Sequence, residues 1–171
     1  CYNGDKTLIP KQPFVPLEVE EGFNLVFEPK VDILFIIDDS GSMSSAQTKL
    51  AQNINLFTTA MEKNKFLDYH IGAITTSMGA IYASNSGYLQ GKPPFVTRAM
   101  KNGLRDLESN IIRIGVGGDY EEKFFDPLVA AVDPLQNLNP GFFRSDSFFV
   151  LILITDTKDQ SYNNTGFKAH N

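Results

Sequence analysis

The sequence predicts an α/β fold in which helices flank a doubly wound, mostly parallel sheet. Two nearly continuous apolar runs, Val31–Ile37 and Phe148–Thr155, are typical of strands buried on both faces of a parallel sheet. Between Leu50 and Met61, apolar residues recur at spacings of four, three and four, which predicts one apolar face of a helix. With 171 residues, 42% of them hydrophobic, the chain can bury roughly 70% of its unfolded surface as one domain.

The first half of this domain is predicted to run strand, helix, strand. The run Val31–Ile37 ends at a turn rich in glycine and serine, and Ser44 or Ser45 can cap the helix that follows. The segment Asp68–Thr76 supplies the second strand. Two strands joined through a helix predict a right-handed βαβ unit of a parallel sheet.

The second half carries weaker signals until its last strand. Glycine, proline and polar residues over 77–96 predict a long loop. We then expect a short helix over 98–107, a third strand at Asn110–Val116 and a helix over 121–135. Phe148–Thr155 is the strongest strand signal of the chain, and it ends at Asp156.

Residues 1–30 differ from the rest, and we predict an extended N-terminal arm or tether there, with the folded domain over 31–171. Four prolines between Pro10 and Pro29 favour extended backbone. The chain begins at Cys1, its only cysteine. One interpretation is that the sequence simply starts there. The other, which we favour, is that Cys1 carries lipid as in bacterial lipoproteins, and several acyl chains would anchor the domain firmly to a membrane.

Charge, cysteine content and missing motifs exclude several classes of protein. The net charge of −5 argues against a nucleic-acid binder, and one cysteine cannot form an internal disulfide or a Cys-based zinc cluster. The longest apolar run, Phe148–Ile154, is far shorter than the ~20 residues that cross a bilayer. The sequence has no Gly-x-Ser-x-Gly elbow and no phosphate-binding loop, and we interpret His70 and His170 as structural or exposed.

Polar residues follow the first and last predicted strands, where open α/β sheets place their sites. Asp38, Ser40 and Ser42 form an Asp-x-Ser-x-Ser pattern that leads into the first helix, and Asp156 closes the last strand. Oxygen ligands suit a hard cation such as Mg²⁺. Because the N-terminus of a helix carries a partial positive charge, a cation bound there needs carboxylates nearby. The alternative is a loop with a helix cap and two solvated acids. The place of the pattern between a buried strand and an amphipathic helix favours a metal site.

The sequence around this pattern resembles that of von Willebrand factor type A domains. Ile36–Met43 (IIDDSGSM) resembles the metal-ion-dependent adhesion site of that family, and Ile152–Asp156 resembles its later strand and closing aspartate. Gly141–Ser161 resembles more narrowly a bacterial secreted subgroup, in which an arginine precedes this strand and an Asp-rich turn follows it. The resemblance covers about residues 31–161.

The resemblance implies a set of metal ligands. The first metal loop and the closing aspartate supply Asp38, Ser40, Ser42 and Asp156. The family usually adds a threonine from a third loop, but this sequence has no threonine between residues 97 and 155. We expect Asp119 to substitute for it, with Glu121 behind it.

The resemblance also implies recognition and not catalysis. In the family, the metal ion keeps one position open for an Asp or Glu of a protein partner. We therefore expect a non-enzymatic adhesion or assembly module that uses Mg²⁺, Mn²⁺ or Ca²⁺, lipid-anchored to the outer membrane of a bacterial cell envelope. One alternative is a structural subunit of a membrane-associated assembly with a vestigial metal site. The other is a Mg²⁺-dependent phosphohydrolase, which Ser40 disfavours because such enzymes need a second carboxylate there.

The family's sheet continues after the strand that ends at Asp156. Because only residues 157–171 follow here, we expect a sheet that lacks its last strands. The chain would then be a fragment, or a missing segment or another subunit would complete the sheet. An uncovered strand edge is an aggregation hazard.

Overall fold

The computed structural model describes residues 29–161, which form an α/β domain on a four-stranded sheet. The elements, in chain order, are β1 (Lys30–Ile37), α1 (Ser44–Lys63), β2 (Asp68–Thr75), β3 (Phe95–Thr97), α2 (Gly103–Arg113), α3 (Phe125–Val132) and β4 (Phe148–Ile154). Short 3₁₀ turns lie at Gly41–Met43 and Ala80–Tyr82. None of the helices between residues 29 and 161 is long and apolar enough to span a bilayer. Cys1 and the predicted arm, apart from Pro29 and Lys30, lie outside the described residues, as do residues 162–171.

The strand order is β3-β2-β1-β4, with β1 at the centre of the parallel part of the sheet. β1 pairs in parallel with both β2 and β4, and β3 is antiparallel to β2. Ile37 at the end of β1 is opposite Thr75 on one side and Ile154 on the other. The carboxyl ends of three parallel strands therefore coincide at one edge of the sheet.

Helices cover both faces of the sheet, and the side chains of β1 alternate between the two layers. Phe35 and Ile37 belong to the apolar cluster formed with α1 and α2. Leu34 and Ile36 belong to the cluster on the other face, which includes residues of α3 and the fully buried Phe142. Since β1 is buried on both faces, its nearly continuous apolar run is explained.

The predicted strands and first helix are confirmed, but the strand predicted at Asn110–Val116 is wrong. That segment is the end of α2 and the loop after it. Leu104, Leu107 and Ile111 are buried on one face of α2 at helical spacing, so burial against α1 and the sheet decides the local structure. The helix expected over 98–107 begins later, at Gly103, and the one expected over 121–135 is the shorter α3.

The expectation that β4 is buried on both faces is also wrong. β4 is the edge strand, and within residues 29–161 no strand pairs with its outer side. Phe148 is 72% exposed, and Phe149, Val150 and Leu153 are exposed as well. Two side chains of β4 still pack against the core. Leu151 contacts the apolar cluster on the α3 face, and Ile152 contacts the cluster on the face of α1 and α2. An apolar run predicts a strand, but the neighbours of that strand depend on topology.

An ion-pair network ties the amino ends of the strands together. The Arg144 guanidinium lies 2.8 Å from Asp32 of β1 and 2.7 Å from Asp68 of β2. His70 of β2 lies beside it and donates from Nδ1 to the carbonyl oxygen of Phe142, at 2.9 Å. This hydrogen bond gives His70 a structural contact, and the network lies at the opposite end of the sheet from the predicted metal loop.

Candidate functional site

The sheet register brings the predicted metal loop beside the end of β4. The backbone N–H of Asp38 donates to the carbonyl oxygen of Ile154 at 2.9 Å, which extends the pairing of β1 and β4 by one residue. The Asp38 carboxylate is buried and accepts a hydrogen bond from Thr155 Oγ1 at 3.0 Å. Its other oxygen accepts the Ser40 backbone N–H at 2.9 Å. The Asp38 carboxylate is therefore held by hydrogen bonds from the residue after β4 and from the loop after β1.

Three of the predicted ligands are joined by hydrogen bonds between their side chains. The hydroxyl oxygens of Ser40 and Ser42 lie 3.0 Å apart, and Ser42 Oγ donates to Asp156 Oδ1 at 3.2 Å. Together with Asp38, these residues form what we call the Asp38 cluster. Ser42 and Asp156 are exposed, so the cluster is open to solvent.

The donor set of the Asp38 cluster fits a hard divalent cation. All of its side-chain donors are oxygens, of two carboxylates and two hydroxyls. Neighbouring ligands of an octahedral Mg²⁺ bound at about 2.1 Å are about 3.0 Å apart. The hydrogen-bonded oxygen separations of 3.0 and 3.2 Å on either side of Ser42 are compatible with that spacing.

Asp119 lies in the loop that neighbours the cluster, but its contacts are with other groups. Its backbone N–H donates to Ser77 Oγ at 2.8 Å, and its carboxylate accepts the N–H of Glu121 at 3.3 Å. Glu121 is paired with Lys123 at 2.7 Å, and the hydrogen bond to Glu121 raises the pKa of Lys123. Within residues 29–161, no group of three or more His, Cys, Asp or Glu side chains is arranged to hold a metal ion. The role of Asp119 as a ligand stays a prediction.

Asp39, which the sequence pattern did not single out, is the most extensively bonded carboxylate of the metal loop. It is 2% exposed, and it accepts hydrogen bonds from Thr76 at 3.2 Å and from Ser77 at 2.9 and 3.0 Å. Its carbonyl oxygen accepts the Gly118 N–H at 2.7 Å. Burial raises the pKa of the Asp39 carboxyl, and the hydrogen bonds from Ser77 and Thr76 counteract part of that rise.

Gln47 of α1 is a second residue that the sequence pattern missed. Its side-chain amide donates to the carbonyl oxygen of Asp38 at 2.9 Å and also to that of Gly115. It therefore ties the metal loop to the segment after α2. No local sequence signal marks this role, because the two acceptors are backbone groups far apart in the chain.

Comparison with known proteins assigns no family to the chain. No protein-family model matches it, and a search of curated proteins found no match. The case for the site is therefore carried by the contacts of its own residues. The resemblance to von Willebrand factor type A domains stays a prediction.

A pocket lies at the other end of the sheet, away from the Asp38 cluster. Asp68, His70, Arg98 and Arg144 contribute to its lining. The Arg144 guanidinium is engaged by carboxylates and by the carbonyl oxygens of Val31 and Asp68. The pocket is thus lined by residues of the Arg144 ion-pair network, and we assign it no role in metal binding.

Proposed function

We propose that the domain is of the von Willebrand factor type A kind and binds a divalent cation through Asp38, Ser40, Ser42 and Asp156. The observation that carries this proposal is the bridging position of Ser42. Its Oγ lies 3.0 Å from Ser40 Oγ and 3.2 Å from Asp156 Oδ1, although Ser42 and Asp156 are separated by 114 positions in the chain. Mg²⁺ is the expected ion, with Mn²⁺ or Ca²⁺ as substitutes, because the donors are hard oxygens.

The proposed activity is metal-dependent binding of a protein partner, without turnover. Mg²⁺ held by few protein ligands keeps waters in its remaining positions. An Asp or Glu of the partner would replace one of them, and the attraction between cation and carboxylate strengthens as water is excluded. Solvent exposure of Ser42 and Asp156 supports access by a macromolecule.

We further propose that the domain works at a bacterial cell envelope. Its net charge of −5 and acidic site make nucleic acid an unsuitable partner. A lipidated Cys1 would attach the chain to the outer membrane. Adhesion or assembly with envelope proteins is the corresponding role.

A second candidate is a structural subunit whose metal site is vestigial. The contacts of Asp119 favour this candidate. The Asp119 N–H donates to Ser77 Oγ, and the Asp119 carboxylate accepts the N–H of Glu121, so both groups are engaged within the protein. In this case the third loop serves only to pack the metal loop. The two candidates differ in one measurable property, which is whether the folded domain binds a cation.

Metal-dependent thermal melting tests the proposal. Melting is measured in EDTA and then in Mg²⁺, Mn²⁺ or Ca²⁺, for the wild type and for Asp38→Ala and Asp156→Ala. A cation at 100 times its dissociation constant adds about 2.7 kcal/mol, which for a domain of this size is about 5–10 °C. We expect this rise in the wild type and its loss in both variants.

Asp146→Ala is the matched control for Asp156→Ala. Both aspartates are exposed and flank β4, but Asp146 lies at the other end, where it pairs with Lys30. The control should keep the full metal-dependent rise. A wild type with no rise in any of the three cations would contradict the proposed function and support the structural subunit.

A further inference from the structure

Asp39 is a buried carboxylate with no cationic partner among the described residues. It is 2% exposed, and its side-chain hydrogen bonds come from the hydroxyls of Thr76 and Ser77. No Lys, Arg or His between residues 29 and 161 forms an ion pair with it. Buried charges in proteins are normally paired or lie beside a metal ion.

The fold does give a cationic partner to Asp32, which is buried as completely as Asp39 and lies outside the metal loop. Asp32 is 1% exposed, and Arg144 Nε lies 2.8 Å from its carboxylate. The domain therefore supplies a counter-charge at the amino ends of the strands. At the carboxyl ends it leaves Asp39 without one, directly beside Asp38 in the chain.

We propose that the counter-charge of Asp39 is the divalent cation of the Asp38 cluster. This inference rests on the proposed function and adds a positioning residue to it. Asp39 directly follows Asp38 in the chain, and the attraction between a divalent cation and a buried carboxylate acts over several ångströms without direct contact. Asp39 does not ligate the cation but holds it through charge.

Asp39 also holds the neighbouring loops in place around the cluster. Its carboxylate binds the Ser77 hydroxyl, which in turn accepts the Asp119 N–H at 2.8 Å. Gly118 packs so closely that a Cβ there would lie 2.2 Å from Asp39 Cγ. Glycine at 118 is therefore required for the carboxylate to sit where it does. One side chain thus joins the metal loop, the end of β2 and the loop after α2.

The test compares metal affinity with stability in Asp39→Asn. Mg²⁺ and Mn²⁺ are titrated by calorimetry into wild type, Asp39→Asn and Glu122→Gln. Glu122 is the matched control, because it is also a buried carboxylate but bonds to Gln160. We expect Asp39→Asn to weaken binding about 10–100-fold, as other outer-shell changes do, and Glu122→Gln to bind within about twofold of the wild type.

Melting in EDTA separates a charge role from a merely structural one. Asparagine keeps the size of the side chain and removes an uncompensated charge, so Asp39→Asn should melt at or above the wild-type temperature without metal. Equal metal affinity in wild type and Asp39→Asn would overturn the assignment. A wild type that binds neither cation would overturn the proposed function itself, so the two failures are distinguishable.

Gly118→Ala provides a second variant that keeps the Asp39 charge but displaces it. Because its Cβ would clash with the carboxylate, the variant should also bind Mg²⁺ at least about tenfold more weakly. If Gly118→Ala binds as tightly as the wild type, the position of Asp39 does not matter and the assignment fails.

Discussion

Replacing Arg144 with alanine should lower the free energy of unfolding by about 3–5 kcal/mol, because it leaves a buried acid without its partner. Arg144 Nε donates to Asp32 Oδ1 at 2.8 Å, and Nη1 donates to Asp68 Oδ2 at 2.7 Å. Its Nη2 also donates to the carbonyl oxygen of Val31 at 3.0 Å. One guanidinium therefore joins β1, β2 and the segment before β4.

The loss of stability in Arg144→Ala comes mainly from Asp32, which is 1% exposed and would be left without its guanidinium partner. Without the guanidinium, this carboxylate keeps the backbone N–H of Arg144 and the hydroxyl of Ser147 as donors, but it loses its only permanent positive charge among the described residues, since the remaining neighbour is His70 at 3.9 Å. Asp68 is more exposed, so water can replace its share of the contact. The loss should therefore be large without abolishing the fold.

Urea denaturation followed by far-ultraviolet circular dichroism measures this loss, since the chain has no tryptophan. Lys30→Ala is the control, because it removes only a solvent-exposed ion pair with Asp146 and should leave the free energy of unfolding nearly unchanged. If Arg144→Ala costs no more than Lys30→Ala, the network does not stabilise the domain.

Replacing Phe142 with alanine should also lower the free energy of unfolding by about 3–5 kcal/mol. Its ring is fully buried and makes edge-on contacts with Phe95, at a centroid distance of 5.5 Å, and with Phe143, at 4.8 Å. A Cβ at Gly72 would lie 3.3 Å from this ring, so the glycine makes room for it in the sheet. Truncation would leave a cavity that these rigid neighbours cannot fill.

Phe148→Ala is the matched comparison, because the residue type is the same and the environment differs. Phe148 starts β4 at the sheet edge and is 72% exposed. Its truncation should cost less than about 1 kcal/mol, because little apolar surface is buried there. Similar losses for the two variants in urea denaturation would contradict the packing described here.

Local pattern was sufficient to predict the central part of the fold. The apolar run of β1 and the periodicity of α1 agree with their burial, so prediction and structure coincide there. Ile111 and Ile112 favour a strand by composition, but Ile111 packs as part of α2, since tertiary contacts override a short run of β-branched residues. The edge position of β4 could not be predicted from its own residues, because strand order depends on the whole sheet.

The residues of the Asp38 cluster could be chosen from the sequence, and their role as metal ligands stays a prediction, but the contacts that support them could not be foreseen. Asp38, Ser40 and Ser42 form a local pattern, and the register of β1 and β4 places Asp156 beside them. The contacts of Asp39 with Thr76 and Ser77 depend on the pairing of β1 with β2. A carboxylate next to a motif carries no periodic or spacing signal. Its role therefore becomes visible only when the strands are assembled.

The most direct test of a cation with an open coordination position is a Mn²⁺ titration followed by water-proton relaxation. We predict saturable binding of one Mn²⁺ per chain, with enhanced relaxation from water that remains on the bound ion. In Asp156→Ala the affinity should fall at least about tenfold, since this exposed ligand can be removed without disturbing the core. Absence of binding, or equal affinity in wild type and Asp156→Ala, would contradict the account.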